Sequence, residues 1–171
     1  MGEQAWKGRR LMRIGQGYDI HPLKEGRLLI LGGVTIPHTH GLDGHSDADA
    51  LTHAVCDALL GAMGEGDLGT RYPSNNPAYK NLDSLVMLGS VVETLAKKGY
   101  ALVNLDTVIL AQAPKLAPYL VAMRESLAKA LGVKEEQINV KVKSGEGIGM
   151  IGREEGIAVM ASCLIEPTPR T

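Results

Sequence analysis

Residues 45–62, with the sequence HSDADALTHAVCDALLGA, constrain the fold more than any other stretch of this 171-residue chain. Ser46, with Asp49 three residues later, resembles a capping box and predicts a helix start in this polar segment. The apolar residues that follow recur at helical spacing and predict a buried stripe, formed by Leu51, Val55, Ala58, Leu59 and Ala62. The rest of the chain must therefore build a core against this helix.

The opposite face of the predicted helix carries Asp49, His53 and Asp57 at positions i, i+4 and i+8. His53 therefore stands between two carboxylates, which are candidates to orient its ring. Such an arrangement can bind a metal, relay a proton or form a solvated polar face. The helix alone does not decide among these three.

Composition excludes some classes of partner. The formal net charge of −1 gives no general attraction to nucleic acid or to a membrane surface, although a small anionic ligand remains compatible with it. The chain has no Phe and little aromatic surface for stacking bases. Cys56 and Cys163 form no CxxC pair, which favours two reduced thiols in a cytoplasmic protein. No apolar run is long enough to span a membrane.

The order of the predicted elements favours a single α+β domain. Strands are predicted at 12–21, 28–36, 101–111, 138–143 and 157–165, and helices within 45–62 and at 83–98 and 118–131. They predict a mixed sheet of four to five strands with helices packed on one face. Two glycines in the first strand are expected to weaken or bend it. The long polar loop after residue 62 is typical of a functional loop.

We expect the domain to occupy residues 12–166. Residues 1–11 are polar, basic and aperiodic, which is typical of a flexible N-terminal extension. Residues 167–171 (PTPRT) are expected to be a frayed tail.

Asp19 and His21 are candidate metal ligands, because residues two apart on a strand point to the same face. With His53 they supply three nitrogen or oxygen ligands and leave a fourth position open, the pattern of catalytic zinc. The alternative is a strand end and a helix histidine with ordinary hydrogen bonds. Lys115 and Arg153 are candidate anion-binding groups, and the glycine-rich loop at 144–149 offers backbone N–H groups.

Five segments, in order along the chain, resemble the 2-C-methyl-D-erythritol 2,4-cyclodiphosphate synthase family: RIGQGYDIH, SDADALTHAVCDALLGA, GDLGTRYPSNNP, AQAPKL and GREEGIAV. The resemblance implies a phosphorus–oxygen lyase of the non-mevalonate isoprenoid pathway. Its substrate would be 4-diphosphocytidyl-2-C-methyl-D-erythritol 2-phosphate. The 2-phosphate attacks the β-phosphorus of the same molecule, CMP leaves, and the product is the cyclic diphosphate.

The resemblance also implies roles for individual residues. Asp19, His21 and His53 match the zinc ligands, and Glu146 matches the ligand of a second cation, Mg²⁺ or Mn²⁺. His45 and Ser144 match groups that stabilise the transition state. The residues that match substrate-binding positions, with the cytosine pocket at 111–117, are Ser46, Asp67, Leu68, Gly69, Tyr72, Pro73, Ser74, Asn75, Asn76, Ala111, Gln112, Ala113, Pro114, Lys115, Leu116, Ala117, Lys143, Met150 and Arg153.

The family resembled here is a homotrimer with sites between subunits, zinc ligands coming from one chain and the cytidine pocket from the next. Tyr18, Arg153 and Glu155 match the lining of a central cavity that holds an isoprenoid diphosphate in some members; for Arg153, an interface ion pair is the alternative. This chain departs from well-known members in its glycine-rich loop. Gly145 and Gly147 replace threonine and lysine, and Met150 replaces phenylalanine.

Two other functions remain open. One is a metal-dependent phosphohydrolase that uses water as the nucleophile. The sequence offers no obvious water-activating base besides zinc, which argues against it. The other is a catalytically silent trimer that binds isoprenoid diphosphates. The presence of all the proposed metal ligands argues against it.

Overall fold

The computed structural model of the chain describes residues 11–169. Residues 1–10, which form most of the predicted N-terminal extension, and residues 170–171 lie outside the described range. The strands and helices are β1 (Arg13–Glu25), β2 (Leu29–Leu31), β3 (Val34–Ile36), β4 (His40–Leu42), α1 (Ala50–Met63), α2 (Leu68–Arg71), α3 (Ser84–Lys97), β5 (Tyr100–Leu110), α4 (Leu120–Leu131), β6 (Ile138–Lys143), α5 (Gly149–Gly152) and β7 (Gly156–Pro167).

The main sheet has five strands in the order β4-β1-β7-β5-β6. β5 and β6 run parallel, joined by the crossover through α4, and the other neighbours are antiparallel. Along β7, Val159 and Ala161 are buried beneath the helices, whereas Met160 and Ser162 on the opposite face are exposed. The predicted single domain with a mixed sheet and helices on one face is confirmed.

β1 and α1 approach each other closely because of two glycines in the strand. A Cβ atom at Gly15 would lie 1.8 Å from the carbonyl oxygen of Ala58, and one at Gly17 would lie 2.0 Å from that of Ala54. The ladder to β7 nevertheless runs without a break from Arg13 to Pro22. The two glycines therefore do not interrupt the strand. They allow backbone-to-backbone packing, which brings the end of β1 against α1.

Residues 28–36 form a hairpin instead of the single predicted strand. Gly32 and Gly33 have φ angles of 61° and 73°, and these left-handed conformations reverse the chain between β2 and β3. Their N–H groups donate to the buried carboxylate of Asp49 at 2.8 and 2.7 Å. Asp49 is also the N-cap of α1 and accepts the N–H of Thr52 at 3.0 Å. One carboxylate thus fixes both the turn and the helix start.

The helices bury the predicted stripes with some differences. α1 is buried along nearly its whole length, including all five predicted apolar residues. Helical spacing in 83–98 predicts a buried stripe of Leu85, Leu88, Val92 and Leu95, whereas α3 buries Met87, Leu88, Val91 and Leu95. The long loop after α1 contains α2 and is not wholly irregular. Among residues 11–169, no helix has both the length and the apolar character that crossing a membrane requires.

Candidate metal centre

Asp19, His21 and His53 converge where β1 meets α1. The Oδ2 atom of Asp19 lies 3.0 Å from both His21 Nε2 and His53 Nδ1, and the two nitrogen atoms are 3.2 Å apart. The side chains are largely buried, with 11–23% of their surfaces exposed. The structure thus places the three predicted ligands around one point.

When His21 is neutral, one lone pair of its ring is directed at this point. Its Nδ1 atom lies 3.1 Å from the carbonyl oxygen of Asp43, which only accepts hydrogen bonds. Nδ1 therefore carries the proton, and Nε2 is the nitrogen that can bind a cation.

The far side of the His53 ring faces two hydroxyl groups. Its Nε2 atom lies 2.9 Å from Ser84 Oγ and 3.2 Å from Ser46 Oγ. Ser84 Oγ in turn donates to the carboxylate of Asp47. His53 Nε2–H therefore donates outward, and Nδ1 faces Asp19 Oδ2 and His21 Nε2.

The charges in the cluster lower the pKa of Asp19 and raise the pKa of His21. Burial raises the pKa of Asp19, but hydrogen bonds and positive charge from His21 and His53 outweigh it, so the pKa lies well below its usual range. Burial lowers the pKa of His21, whereas the Asp19 carboxylate and the Asp43 carbonyl raise it, and the net pKa is above the ordinary 6.5. Below that raised pKa, a metal ion at this point displaces a proton.

The residues present fit a metal ion. Zinc–nitrogen and zinc–oxygen bonds of about 2.0–2.2 Å separate neighbouring ligand atoms at a tetrahedral centre by roughly 3.3 Å. The observed separations of 3.0–3.2 Å are close to this spacing. Each histidine is also oriented by an acceptor on its other nitrogen, the usual support of a metal-bound imidazole.

The triad opens into a pocket of about 230 Å³. His45 and five of the predicted substrate-binding residues line the same pocket: Ser46, Leu68, Gly69, Tyr72 and Ser74. His45 Nε2–H donates to the Asn76 carbonyl at 3.0 Å. Asp67 caps α2 by accepting the N–H of Thr70 at 2.6 Å.

Other predicted residues form a separate cluster at the carboxyl ends of β5 and β6. Ser144 Oγ donates to the carboxylate of Glu146, and Gly147 N–H donates to Gln112 Oε1 at 3.4 Å. The carbonyl of Lys143 accepts the N–H of Ala111 at 3.0 Å. Lys115 and Ala117 are exposed, and Leu116 is buried.

The sheet register separates this cluster from the metal triad. Ile20 of β1 and Leu110 of β5 both pair with Ala158 of β7, from opposite sides. They are thus two strand spacings apart, about 10 Å. Of the described residues, those lining the triad pocket include none from 111–117 or 143–147.

Met150 and Arg153 lie beyond the glycine-rich loop. Met150 borders a second pocket with Ile20, Pro22 and the candidate metal ligand His21. Arg153 Nε donates to Glu155 Oε1 at 2.7 Å in an exposed ion pair. Neither residue lines the triad pocket.

The expectation that Asp49 and Asp57 orient His53 is wrong. Asp49 is engaged by Gly32, Gly33 and Thr52. Asp57 accepts the N–H of Leu68 at 2.6 Å, and burial, followed by the charges of Asp67 and Asp19, raises its pKa. Ser46 is not the helix cap but a neighbour of the histidine ring.

The groups that do orient the histidines are Asp43, Asp47 and Ser84, which the sequence analysis did not identify. Ser84 is 31 residues from His53 in sequence, so no helical or strand spacing connects them. The guanidinium group of Arg27 supports the segment 42–46. It donates to the carbonyls of Leu42, Gly44 and Ser46, each at 3.3 Å.

The chain combines a half-buried Asp–His–His centre with a sheet that has helices on one face. These features define the protein as a candidate metal-dependent enzyme. The model of the YgbB family matches residues 12–166, and the chain belongs to this family.

Its relatives include 2-C-methyl-D-erythritol 2,4-cyclodiphosphate synthases. The protein from Syntrophotalea carbinolica is 54% identical over 155 residues, covering 91% of this chain and 94% of the relative. The protein from Prosthecochloris aestuarii is 50% identical over 155 residues, covering 91% and 99%.

Solved structures have the same fold. IspF from Plasmodium falciparum, in a CDP complex, matches with a TM-score of 0.83 and 35% identity, over 95% of this chain and 100% of that one. The bifunctional IspDF from Campylobacter jejuni matches with a TM-score of 0.89 and 40% identity over 93% of this chain. The present chain spans 43% of that bifunctional protein.

Proposed function

We propose that this protein is a 2-C-methyl-D-erythritol 2,4-cyclodiphosphate synthase of the non-mevalonate isoprenoid pathway. It would convert 4-diphosphocytidyl-2-C-methyl-D-erythritol 2-phosphate to the cyclic diphosphate and CMP, a phosphorus–oxygen lyase reaction. The observation that carries the proposal is the convergence of Asp19, His21 and His53 in one pocket. Relatives named for this activity, about 50% identical over nearly their full length, support it.

Asp19, His21 and His53 would hold a zinc ion, which their two nitrogens and one oxygen favour over magnesium. When bound, zinc supplies Lewis-acid polarisation of a phosphoryl oxygen. The residues of the chain fix the ligand atoms before the substrate arrives, because Asp43 and Ser84 already orient both rings.

The chemistry asks the chain mainly for positioning. An oxygen of the 2-phosphate forms a bond to the β-phosphorus, and the bond from that phosphorus to the bridging oxygen breaks, releasing CMP. Both groups belong to one molecule, so the pocket has to fold the substrate for in-line approach. His45, at the pocket wall, would donate a hydrogen bond to the developing charge by turning its Nε2–H away from the Asn76 carbonyl.

The cluster at 111–117 and 143–147 would hold the cytidine diphosphate end. Backbone groups of 111–117 would read the cytosine edge, and Ser144 would donate to phosphate oxygens. Glu146 would contribute one carboxylate to a Mg²⁺ or Mn²⁺ ion that keeps waters and phosphate oxygens as its other ligands. The exposure of Ser144 and Glu146 supports this role, since a large substrate must reach them.

We further propose that the chain assembles as a homotrimer through the sheet face that carries no helix. Large apolar side chains are exposed there, including Ile14, Tyr18, Ile20 and Met160. The separation of the two clusters within one chain supports a site shared between neighbouring chains. Arg153 and Glu155, with Tyr18, would line a central cavity able to hold an isoprenoid diphosphate.

A cytoplasmic location also remains a proposal. The support for it is that Cys56 and Cys163 are both free and buried, as in proteins of reducing compartments.

Phosphorus-31 NMR of the products tests the proposed reaction. Purified protein with zinc and magnesium is expected to give CMP and the cyclic diphosphate. Linear phosphate products would instead establish hydrolysis, with water as the nucleophile. Absence of turnover, with zinc bound, would favour a binding protein.

A further inference from the structure

We propose that Asp47 and Ser84 form a relay that holds a proton on His53 Nε2 and thereby sets the zinc affinity of the site. Neither residue contacts the converging ligand atoms, so both are positioning residues that act through His53. The inference rests on the proposed zinc site but not on the reaction.

The direction of each hydrogen bond follows from which atoms can donate. The Asp47 carboxylate only accepts, so the Ser84 hydroxyl donates its hydrogen to Asp47 Oδ1. Ser84 Oγ then faces His53 Nε2, 2.9 Å away, with lone pairs only. Nε2 must therefore carry a proton. Nδ1 lies 3.0 Å from Asp19 Oδ2, which also only accepts, so a proton on Nδ1 is the one that a metal ion would displace.

Ser46 alone does not impose this tautomer. Its Oγ accepts the N–H of Ala48 at 3.1 Å and lies 3.2 Å from His53 Nε2. Among residues 11–169, the hydrogen of the Ser46 hydroxyl has no acceptor that fixes its direction, so this group can donate to Nε2 as readily as it accepts. Only Ser84, whose hydrogen is engaged by Asp47, is restricted to accepting.

The relay is built into the backbone. Asp47 Oδ2 accepts the N–H of Ser84, the first residue of α3, at 3.0 Å. The carbonyl of Leu82 accepts the N–H of Asp47 at 3.2 Å, and the carbonyl of His45 accepts the N–H of Asn81 at 2.9 Å. Ser84 is fully buried, so water does not replace its hydroxyl in the folded chain. The start of α3 therefore supports the metal centre on α1.

Zinc titration of the metal-free protein against a chromophoric chelator, without substrate, measures the effect. Ser84→Ala and Asp47→Ala are each expected to weaken zinc binding about 10–100-fold, the usual effect of removing a partner of a metal-bound histidine. Because Asp47 acts through Ser84, the double variant is expected to be no weaker than Ser84→Ala.

Thr107→Val is the matched control. It removes another buried hydroxyl, one that donates to the Asn139 carbonyl at 3.0 Å in the sheet, and should leave zinc affinity unchanged. ¹⁵N chemical shifts of the imidazoles report the tautomer directly. Metal-free wild type should show His53 protonated at Nε2, and Asp47→Ala should shift it toward the Nδ1–H form.

Wild-type zinc affinity in both single variants, or an unchanged His53 tautomer in Asp47→Ala, would overturn the relay. Additive losses in the double variant would also overturn it, since two independent contacts would then act. If Ser84→Ala does not fold, the zinc affinity and the His53 tautomer of Asp47→Ala test the relay by themselves. Failure of the wild type to bind zinc would instead contradict the proposed metal.

Discussion

The triad and the glycine-rich loop differ in how much of their geometry the chain itself supplies. Asp19, His21 and His53 lie between a strand and a helix, largely buried, with each histidine oriented by a second partner. Ser144 and Glu146 are exposed on a turn, where Glu146 has a φ angle of 49°. For a residue other than glycine, this left-handed conformation costs about 1–2 kcal/mol.

The difference indicates that one half of the proposed site is preorganised and the other needs a partner. The triad forms with the hydrophobic core, so folding itself brings its ligand atoms together. The loop carries Ser144 and Glu146 on an exposed turn. We expect a bound nucleotide, a cation or a neighbouring chain to hold the loop in its active conformation. Substitutions in the two halves should therefore have different signatures.

The largest effect is expected from His53→Ala. Removing one of three ligands should abolish stoichiometric zinc binding and lower kcat/KM by roughly a thousandfold, equivalent to several kcal/mol of transition-state stabilisation. Metal analysis and steady-state kinetics measure both quantities, and circular dichroism checks folding. His40→Ala, a change in the short edge strand β4, is the control. Full zinc retention by His53→Ala would remove His53 from the ligand set.

Gly17→Ala tests whether the close packing of β1 on α1 builds the triad. The added Cβ would lie 2.0 Å from the Ala54 carbonyl oxygen, so the free energy of unfolding should fall by about 3 kcal/mol. Urea denaturation measures the change. Gly89→Ala in α3, where a Cβ meets nothing within 4 Å, should be neutral or stabilising by up to about 1 kcal/mol. Equal stabilities of the two variants would contradict the packing.

Glu146→Gln should affect the loop half alone. We expect kcat to fall roughly a hundredfold, the scale of losing one preorganised contact to the transition state. Zinc content should stay at the wild-type value, and the magnesium concentration needed for half-maximal activity should rise. Glu125→Gln on α4 removes an exposed carboxylate from another surface as the control. Loss of zinc from Glu146→Gln would show that the halves are not separate.

The pH dependence of zinc binding gives the smallest effect. Because the pKa of His21 is raised above 6.5 in the metal-free fold, a proton competes with zinc below that raised pKa. Zinc affinity should fall about tenfold for each pH unit of acidification there. The folding stability of the metal-free protein changes with pH in the opposite direction to zinc affinity. The stabilisation that this proton gives is fully present below 6.5 and is lost as pH rises through the folded pKa. Zinc affinity independent of pH would contradict the displacement of a proton.

Local pattern was enough to predict the elements that meet at the triad. Helical periodicity placed His53 on α1, and strand alternation placed Asp19 and His21 on one face. The hairpin was missed because the run from Leu28 to Ile36 is apolar on both sides of Gly32 and Gly33. Its reversal depends on their positive φ angles and on Asp49, 16 residues or more away.

The supports of the triad could not be read from periodicity. Helical spacing pointed to Asp49 and Asp57 as partners of His53, but the hairpin turn and α2 engage those carboxylates. The actual partner, Ser84, reaches the ring only because α3 packs beside α1. A contact between residues so far apart in sequence follows no regular spacing, so periodicity cannot predict it.

Complementation between two inactive variants tests most directly whether the triad and the loop are halves of one shared site. His53→Ala and Glu146→Ala chains are unfolded together, refolded as a mixture and assayed for CMP release. If each site takes one half from each of two neighbouring chains, random mixing should restore about a quarter of wild-type activity, since half of the chains supply each intact part. Activity no higher than that of the separate variants would contradict a site shared between chains.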